Sequence, residues 1–266
     1  MIALEASRAR ALIHPERGCW LSSLIFDGTE LLYAHPAPPP GDLPGGLPIL
    51  YPICGRPPAS SPHPFHGYAW RLPWTPLPPP PRPPAQNTCP YNGNMFFRLD
   101  GPDSARLTLR LRLTTRRFLL ALTVQNRSSA PIRPHAGFHP YFRDIATVSV
   151  PPPSPRWAYA PDYIHLLPGP LPPPPMPIPA SDPIHRALLL QASEALLLRH
   201  DGRTLHLRAT PSTLPFLQFY ADGHSPFLAV EPWSAPAGAT APDAPLPPPL
   251  LPPHSSRTYA FTLTIS

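Results

Sequence analysis

The sequence predicts an all-β protein of antiparallel strands joined by proline-rich loops. Apolar and polar residues alternate in segment after segment, which is the pattern of strands with one buried face. Asp-Gly dipeptides separate several of these segments, and they supply the positive φ angles that tight hairpin turns need. No stretch of comparable length has a clean 3.6-residue period. Only residues 187–198 are compatible with a helix, and there the pattern is ambiguous.

The clearest predicted strand pair spans residues 106–126. Its first half is apolar on one face, at Leu107, Leu109, Leu111 and Leu113. A polar turn follows at 114–117, and the second half alternates again, at Phe118, Leu120, Leu122 and Val124. This is the pattern of an antiparallel pair with one wet face, and we expect Arg106, Arg110 and Arg112 to form a solvated surface.

Turns and proline tracts organise the rest of the chain. Asp27-Gly28, Asp201-Gly202 and Asp222-Gly223 indicate three more hairpins, and an alternating strand covers 259–265. Proline accounts for 51 of 266 residues, with tracts at 36–40, 76–84, 151–155, 170–179 and 245–253. These tracts lie between the predicted strands and are interpreted as polyproline loops, with recruitment of a proline-binding domain as the alternative. Neither a repeat nor a boundary divides the chain, so one domain over 1–266 is expected.

Charge and cysteine content exclude several classes of protein. The formal charge is +6 and all 21 basic residues are arginine, but they are dispersed, which argues against nucleic-acid binding. A few isolated arginines suit a phosphorylated small molecule better. No apolar run reaches the ~20 residues of a membrane span. Cys19, Cys54 and Cys89 form no C-x-x-C pair, so we expect free thiols and a cytoplasmic protein.

The most informative segment is Gly137-Phe138-His139-Pro140-Tyr141-Phe142. Histidine titrates near neutral pH and can therefore give or take a proton under cell conditions. Pro140 disfavours helical geometry at His139, which limits where the imidazole can point. A packed histidine that bonds to a backbone carbonyl is the structural alternative to a general acid.

Three further segments accompany it: residues 45–56, residues 65–74 with Phe65-His66-Gly67-Tyr68, and residues 229–233 with Glu231-Pro232-Trp233. In this order and spacing the four segments resemble the aldose 1-epimerase (galactose mutarotase-like) family, and more closely its branch near the hexose-6-phosphate 1-epimerases. The resemblance covers nearly the whole chain. It implies a single large antiparallel β-sandwich, the galactose mutarotase-like supersandwich, with the sugar in a cleft over one sheet.

The resemblance also implies an activity, the interconversion of α and β anomers of an aldohexose or hexose 6-phosphate. It makes Glu231 the base at the anomeric hydroxyl and His139 the acid at the ring oxygen. His66 and Arg56 would bind the sugar, and so would Arg71 if the backbone allows it. The implied partner is a sugar or sugar phosphate, with no metal or other cofactor, and the protein would be a monomer or a weak dimer without nucleic-acid or membrane partners.

Several alternatives stay open. The related branch has arginine where this chain has Trp70, and Arg71 comes one residue later, on the opposite face of a regular strand, so the phosphate requirement is undecided. His63, His66 and Cys54 are spaced too irregularly to indicate a metal site. A salt bridge to arginine is the structural alternative for Glu231. A non-catalytic sugar-binding protein of the same fold and a proline-rich interaction protein are the competing functions.

Overall fold

The computed structural model describes residues 1–36, 38, 42–78, 93–151, 156–159, 167–168, 176–182 and 188–266. Cys89 and most of the four proline tracts before residue 180 lie outside these ranges. The described residues contain no α-helix; one 3₁₀ turn covers Pro15–Arg17. Within the same ranges, no helix has the length and apolar character of a membrane span.

The strands are β1 (Ile2–Ala6), β2 (Ala9–His14), β3 (Trp20–Phe26), β4 (Thr29–Glu30), β5 (Ile49–Leu50), β6 (Thr75–Leu77), β7 (Asn94–Asp100), β8 (Ala105–Leu113), β9 (Arg117–Asn126), β10 (Gly137–Phe138), β11 (Tyr141–Arg143), β12 (Ile145–Ser149), β13 (Arg156–Tyr159), β14 (Leu167–Pro168), β15 (Ile178–Pro179), β16 (Leu188–Gln191), β17 (Glu194–Arg199), β18 (Thr204–Ala209), β19 (Phe216–Tyr220), β20 (Phe227–Trp233) and β21 (Ser256–Ile265). All named strand pairs are antiparallel.

The strands form three sheets. A small sheet has the order β1-β2-β3-β4. A nine-stranded sheet has the order β15-β12-β17-β18-β21-β9-β8-β7-β6. An eight-stranded sheet has the order β14-β13-β16-β19-β20-β10-β5, and β11 also pairs with β20. This arrangement confirms the predicted all-β, antiparallel sandwich.

One hydrophobic core joins the three sheets. It takes the leucines of β8, the apolar face of β9 and the inward residues of β19 and β20, together with residues of β2 and β3. The rings of Phe138 in β10 and Phe261 in β21 lie 5.1 Å apart, which brings the two large sheets into direct contact. Leu217 and Phe219 of β19 and Leu228 and Val230 of β20 pack in this core. The opposite face of the eight-stranded sheet is therefore available to form a cleft.

The four predicted hairpins are confirmed, including β17–β18 at Asp201-Gly202. The pair β8–β9 buries the expected leucine face and leaves Arg110 and Arg112 exposed. Asp27 and Gly28 both have positive φ, 49° and 77°, as a primed turn between right-twisted strands requires. The strands around Asp222-Gly223 are also found, as β19 and β20.

The helical interpretation of 187–198 is wrong. The segment forms β16 and β17, which belong to different large sheets. Leu188, Leu189 and Leu190 are all buried, because β16 lies between β13 and β19 and is covered on both faces. A continuous apolar run of this kind does not alternate, so periodicity could not distinguish it from a buried helix.

The expectation that proline tracts lie only between strands is also wrong at two places. Pro76 lies in β6 and Pro179 in β15, and each of these short strands is at an edge of the nine-stranded sheet. An edge strand tolerates proline because one side of it needs no hydrogen-bond donor.

Candidate active site

The register of the eight-stranded sheet brings the two proposed catalytic residues together. Tyr141 pairs with Ala229 in the antiparallel ladder between β11 and β20. His139 lies two residues before Tyr141, and Glu231 lies two residues after Ala229. In an antiparallel pair these two residues are therefore opposite each other, on the same face of the sheet as Tyr141 and Ala229. Distant segments of the sequence are thus made cross-strand neighbours by register alone.

Two prolines interrupt the ladder at this point. His139 donates its backbone N–H to the carbonyl of Pro48, at 3.1 Å, on the side away from β20. Because amide directions alternate along a strand, the next residue, Pro140, is the one whose N–H would face β20, and proline has none. Ser234, the residue after β20, donates its N–H to the carbonyl of Ala136, just before β10, at 2.9 Å. Two residues earlier, Pro232 has no N–H to donate. The missing donors separate β10 from β11 around the histidine.

The imidazole and the carboxylate are in direct contact. Nε2 of His139 lies 3.2 Å from Oε1 of Glu231, and their side chains are 5% and 1% exposed. The ring of Tyr141 stacks on the imidazole, with centroids 4.3 Å apart and planes 13° apart. Nδ1 of His139 has no hydrogen-bond partner among the described residues. The alternative of a salt bridge between Glu231 and arginine is therefore not what the fold provides; the partner is a histidine.

Burial determines the charge of this pair. Desolvation raises the pKa of Glu231 well above its usual value and lowers the pKa of His139 to about 3. Both changes favour the uncharged forms, in which Glu231 carries the proton and Nε2 of His139 accepts it. In these forms the contact contains one proton, on the carboxyl group of Glu231.

His66 joins the pair from a neighbouring loop. Gly55 donates its N–H to Nδ1 of His66 at 3.0 Å, so the proton of the neutral ring lies on Nε2. Burial lowers the pKa of His66 well below its usual value and keeps the ring neutral. The ring is edge-on to that of His139, with centroids 5.3 Å apart. His66 thus presents a hydrogen-bond donor near the acid–base pair.

The two predicted arginines lie further away. Arg56 is exposed, and its guanidinium lies 5.7 Å from the ring centre of Phe65, a residue that lines the cleft. Arg71 is also exposed and lies over the ring of Trp70, at 4.3 Å. Neither arginine is among the described residues that line the cleft. Their roles in substrate binding stay predictions, with Arg56 placed at the rim.

The cleft over the sheet has a volume of about 320 Å³, at the lower end of the range for small-molecule sites. Its lining combines aromatic rings with a few polar groups: Tyr33, His35, Asp42, Leu43, Gly45, Phe65, His66, His139, Tyr141, Tyr220, Asp222, Phe227, Glu231 and Trp233. Phe227 is at the centre of one wall, with ring centres of Tyr141, Tyr33 and Tyr220 at 4.8, 5.4 and 5.8 Å. Sequence reasoning did not find this wall, because its rings come from separate segments.

Three supporting side chains were also missed. Trp233 donates its indole N–H to Oε2 of Glu231 at 3.1 Å, and its position two residues after Glu231 on a strand was a usable signal. His135 is fully buried and uses both ring nitrogens to hold backbone groups. Gln218 pairs with Glu231 across β19 and β20, and its buried Oε1 has no partner among the described residues.

Among the described residues, no three His, Cys, Asp or Glu side chains are grouped as ligands of a metal ion would be. Cys19 and Cys54 are free and buried.

The three-sheet arrangement with its cleft is the fold of galactose mutarotase-like proteins. The Slr1438 protein of Synechocystis sp. PCC 6803 is 22% identical, with a TM-score of 0.77 over 100% of this chain and 95% of its own. A candidate aldose 1-epimerase from Escherichia coli has 16% identity, a TM-score of 0.76 and coverage of 99% and 98%. A galactose mutarotase-like protein from Lactobacillus casei has 20% identity, a TM-score of 0.74 and full coverage of both chains. No protein-family model and no curated protein sequence matches the chain. The likeness is one of fold.

Proposed function

We propose that the protein is an aldose 1-epimerase that interconverts the α and β anomers of an aldohexose by opening and closing the ring. The contact of 3.2 Å between His139 Nε2 and Glu231 Oε1, at the base of a cleft of sugar size, carries this proposal. An acid and a base that share one proton in a buried, aromatic-lined site are what this reaction uses. The fold neighbours named as epimerase-like or mutarotase-like support the same class of reaction.

The reaction balances on these two residues. Ionised Glu231 takes the proton of the anomeric hydroxyl, the bond from C1 to the ring oxygen breaks, and protonated His139 gives its proton to that oxygen. The open-chain aldehyde rotates about its C1–C2 bond, and the reverse steps close the ring on either face. Cyclic sugar is processed by the ion pair and open-chain sugar by the neutral pair, and both contain one proton.

The contact between the two side chains explains how the pair returns to its starting form. The proton can pass between Oε1 and Nε2 directly, so the ion pair and the neutral pair interconvert without solvent. The neutral Nε2–H of His66 would hold an oxygen of the sugar near the ring oxygen. The apolar faces of the sugar ring would pack on the aromatic wall around Phe227.

The free aldohexose is the first substrate to test. The described lining of the cleft contains no arginine, whereas Asp42 and Asp222 are part of it. A hexose 6-phosphate would depend on Arg56, which reaches the cleft only at its rim. We also propose a cytoplasmic setting, because Cys19 and Cys54 are buried free thiols.

Polarimetry of freshly dissolved α-glucose, α-galactose and α-glucose 6-phosphate tests the proposal. The wild type should accelerate mutarotation of at least one free sugar, and His139→Asn and Glu231→Gln should lose about 10²–10⁴-fold in kcat. Glu194→Gln is the matched control, because Glu194 pairs with Arg208 away from the cleft. Sugar binding in calorimetry without acceleration by the wild type would instead identify a non-catalytic sugar-binding protein.

A further inference from the structure

The carboxylate of Glu231 has a different partner at each oxygen. Oε1 faces Nε2 of His139, and Oε2 accepts the indole N–H of Trp233 at 3.1 Å. Trp233 follows Glu231 by two residues on β20, so strand geometry places both side chains on the cleft face. The indole and the imidazole thus hold the carboxylate from two sides.

The indole ring is held in a closely fitted socket. Trp233 is fully buried. Gly137 lies opposite it in the ladder, and a Cβ at 137 would lie only 2.8 Å from Cδ1 of Trp233 and 2.9 Å from Sγ of Cys54. The ring of His66 stands edge-on at 6.2 Å. Only glycine at 137 leaves room for the indole in this position.

A second buried histidine closes the socket. The ring of His135 stands edge-on to Trp233, with centroids 6.0 Å apart. Its Nδ1 accepts the N–H of Cys54 at 3.3 Å, and its Nε2 donates to the carbonyl of Ala235 at 2.9 Å. Because both nitrogens bond to backbone, His135 ties two loops around the indole and does not titrate with the acid–base pair.

We propose that Trp233 is a positioning residue for the acid–base pair: its indole N–H holds Oε2 of Glu231, so that Oε1 alone exchanges protons with His139 and the sugar. The inference rests on the proposed function. The indole nitrogen is a donor only, so it cannot take a proton from Glu231. A proton on Oε2 would face the indole hydrogen, and the proton of Glu231 is therefore directed to Oε1.

The same bond keeps Glu231 usable as a base. A hydrogen bond from a neutral donor to a carboxylate is charge-assisted and favours the ionised form. Burial raises the pKa of Glu231, and the indole N–H opposes that rise. Loss of the indole N–H should therefore leave Glu231 protonated to a higher pH and reduce the population of the ion pair.

Trp233→Phe removes the N–H and leaves an aromatic ring in the socket. We expect kcat for mutarotation to fall about ten- to a hundred-fold, the range for a hydrogen bond to a charged group, with KM changed by less than about twofold. Trp74→Phe is the matched control, because Trp74 is also buried and donates its indole N–H to the carbonyl of Ala69 at 2.9 Å, outside the cleft. Equal kcat values for the two variants would overturn the inference.

A titration separates this inference from the proposed function. In protein labelled with ¹³C at glutamate side chains, the carboxyl signal of Glu231 is assigned as the one lost in Glu231→Gln. Its midpoint should move to higher pH in Trp233→Phe and stay unchanged in Trp74→Phe. An unmoved midpoint overturns the role of Trp233, whatever the activity. If the midpoint moves but the wild type does not accelerate mutarotation, the role of Trp233 as hydrogen-bond donor to Glu231 is supported and the proposed function is refuted.

A measurement on the wild type covers the case in which Trp233→Phe does not fold. The indole ¹⁵N–¹H signal of Trp233 should shift as Glu231 ionises, because the acceptor of its bond changes charge. In Glu231→Gln that signal should not titrate. A wild-type signal that is constant over the titration of Glu231 would contradict the proposed bond.

Discussion

The stability of the protein in acid tests quantitatively whether His135 is buried as a neutral imidazole. Burial lowers the pKa of His135 from the ordinary 6.5 to about 4. Between these two values the unfolded chain binds a proton at this residue and the folded chain does not. Stability therefore increases with pH in this interval and is lost as the pH falls from about 6.5 towards 4.

The size of the effect follows from the pKa difference. A difference of about 2.5 corresponds to about 3 kcal/mol at 1.36 kcal/mol for each pKa unit, and about 2 kcal/mol of this is lost by pH 5. That is a large share of the 5–15 kcal/mol that typically stabilises a folded domain. The ring cannot avoid this cost by moving, because both of its nitrogens hold backbone groups.

Urea unfolding of the wild type and His135→Gln at pH 7 and pH 5 measures the effect. Glutamine does not titrate, and its amide can still donate to the carbonyl of Ala235. The wild type should lose about 2 kcal/mol more than the variant between the two pH values. His200→Gln, at an exposed histidine, should behave as the wild type does. An equal loss of stability in the wild type and His135→Gln would refute the assignment of a buried neutral imidazole at 135.

Three further predictions concern the cleft and its frame. Gly137→Ala should cost about 1–3 kcal/mol of stability and lower kcat about tenfold, because the added Cβ would displace Trp233. Thermal unfolding and polarimetry measure the two effects, and an unchanged kcat would contradict the close fit around the indole. If Arg56 binds phosphate as predicted, Arg56→Ala should raise KM about five- to tenfold for glucose 6-phosphate and leave KM for glucose unchanged. An equal change in KM for both sugars would show that Arg56 does not bind the phosphate. Asn126→Ala should lower the free energy of unfolding by about 2–4 kcal/mol, since the two N–H groups of its buried amide are shared among three backbone carbonyl oxygens. Urea unfolding with an unchanged m value would show this loss, and a loss below about 1 kcal/mol would count against it.

The strands were predictable where a sheet has one buried face. In β8 and β9 the side chains alternate between core and solvent, so apolar and polar residues alternate in the sequence. Strand β16 is buried on both faces, so its sequence has no alternation and does not indicate a strand. The short strands β6 and β15 are not indicated by the sequence either, because each contains a proline. Proline is tolerated there because both strands lie at a sheet edge, and that position is known only from the assembled sheet.

Part of the candidate site was also predictable from the sequence, and part was not. His139, Glu231 and His66 were selected from ordered motifs, and the structure brings them to one cleft. The aromatic wall around Phe227 could not be predicted, since its rings meet only when separate strands and a loop are assembled. The positions of Arg56 and Arg71 outside the described lining also depend on which way each loop turns.

The sequence by itself determined the class of fold and the chemical types available for catalysis, because alternation, turn residues and motif order are local properties of the chain. Only the tertiary structure decided that His139 and Glu231 are in direct contact and that Trp233 bonds to the second carboxylate oxygen. The physical reason is that this contact depends on a few ångströms of cross-strand distance, and the charge of the two groups depends on the exclusion of water. Both are set by the register of β20 against the strands on either side of it and by the core beneath them.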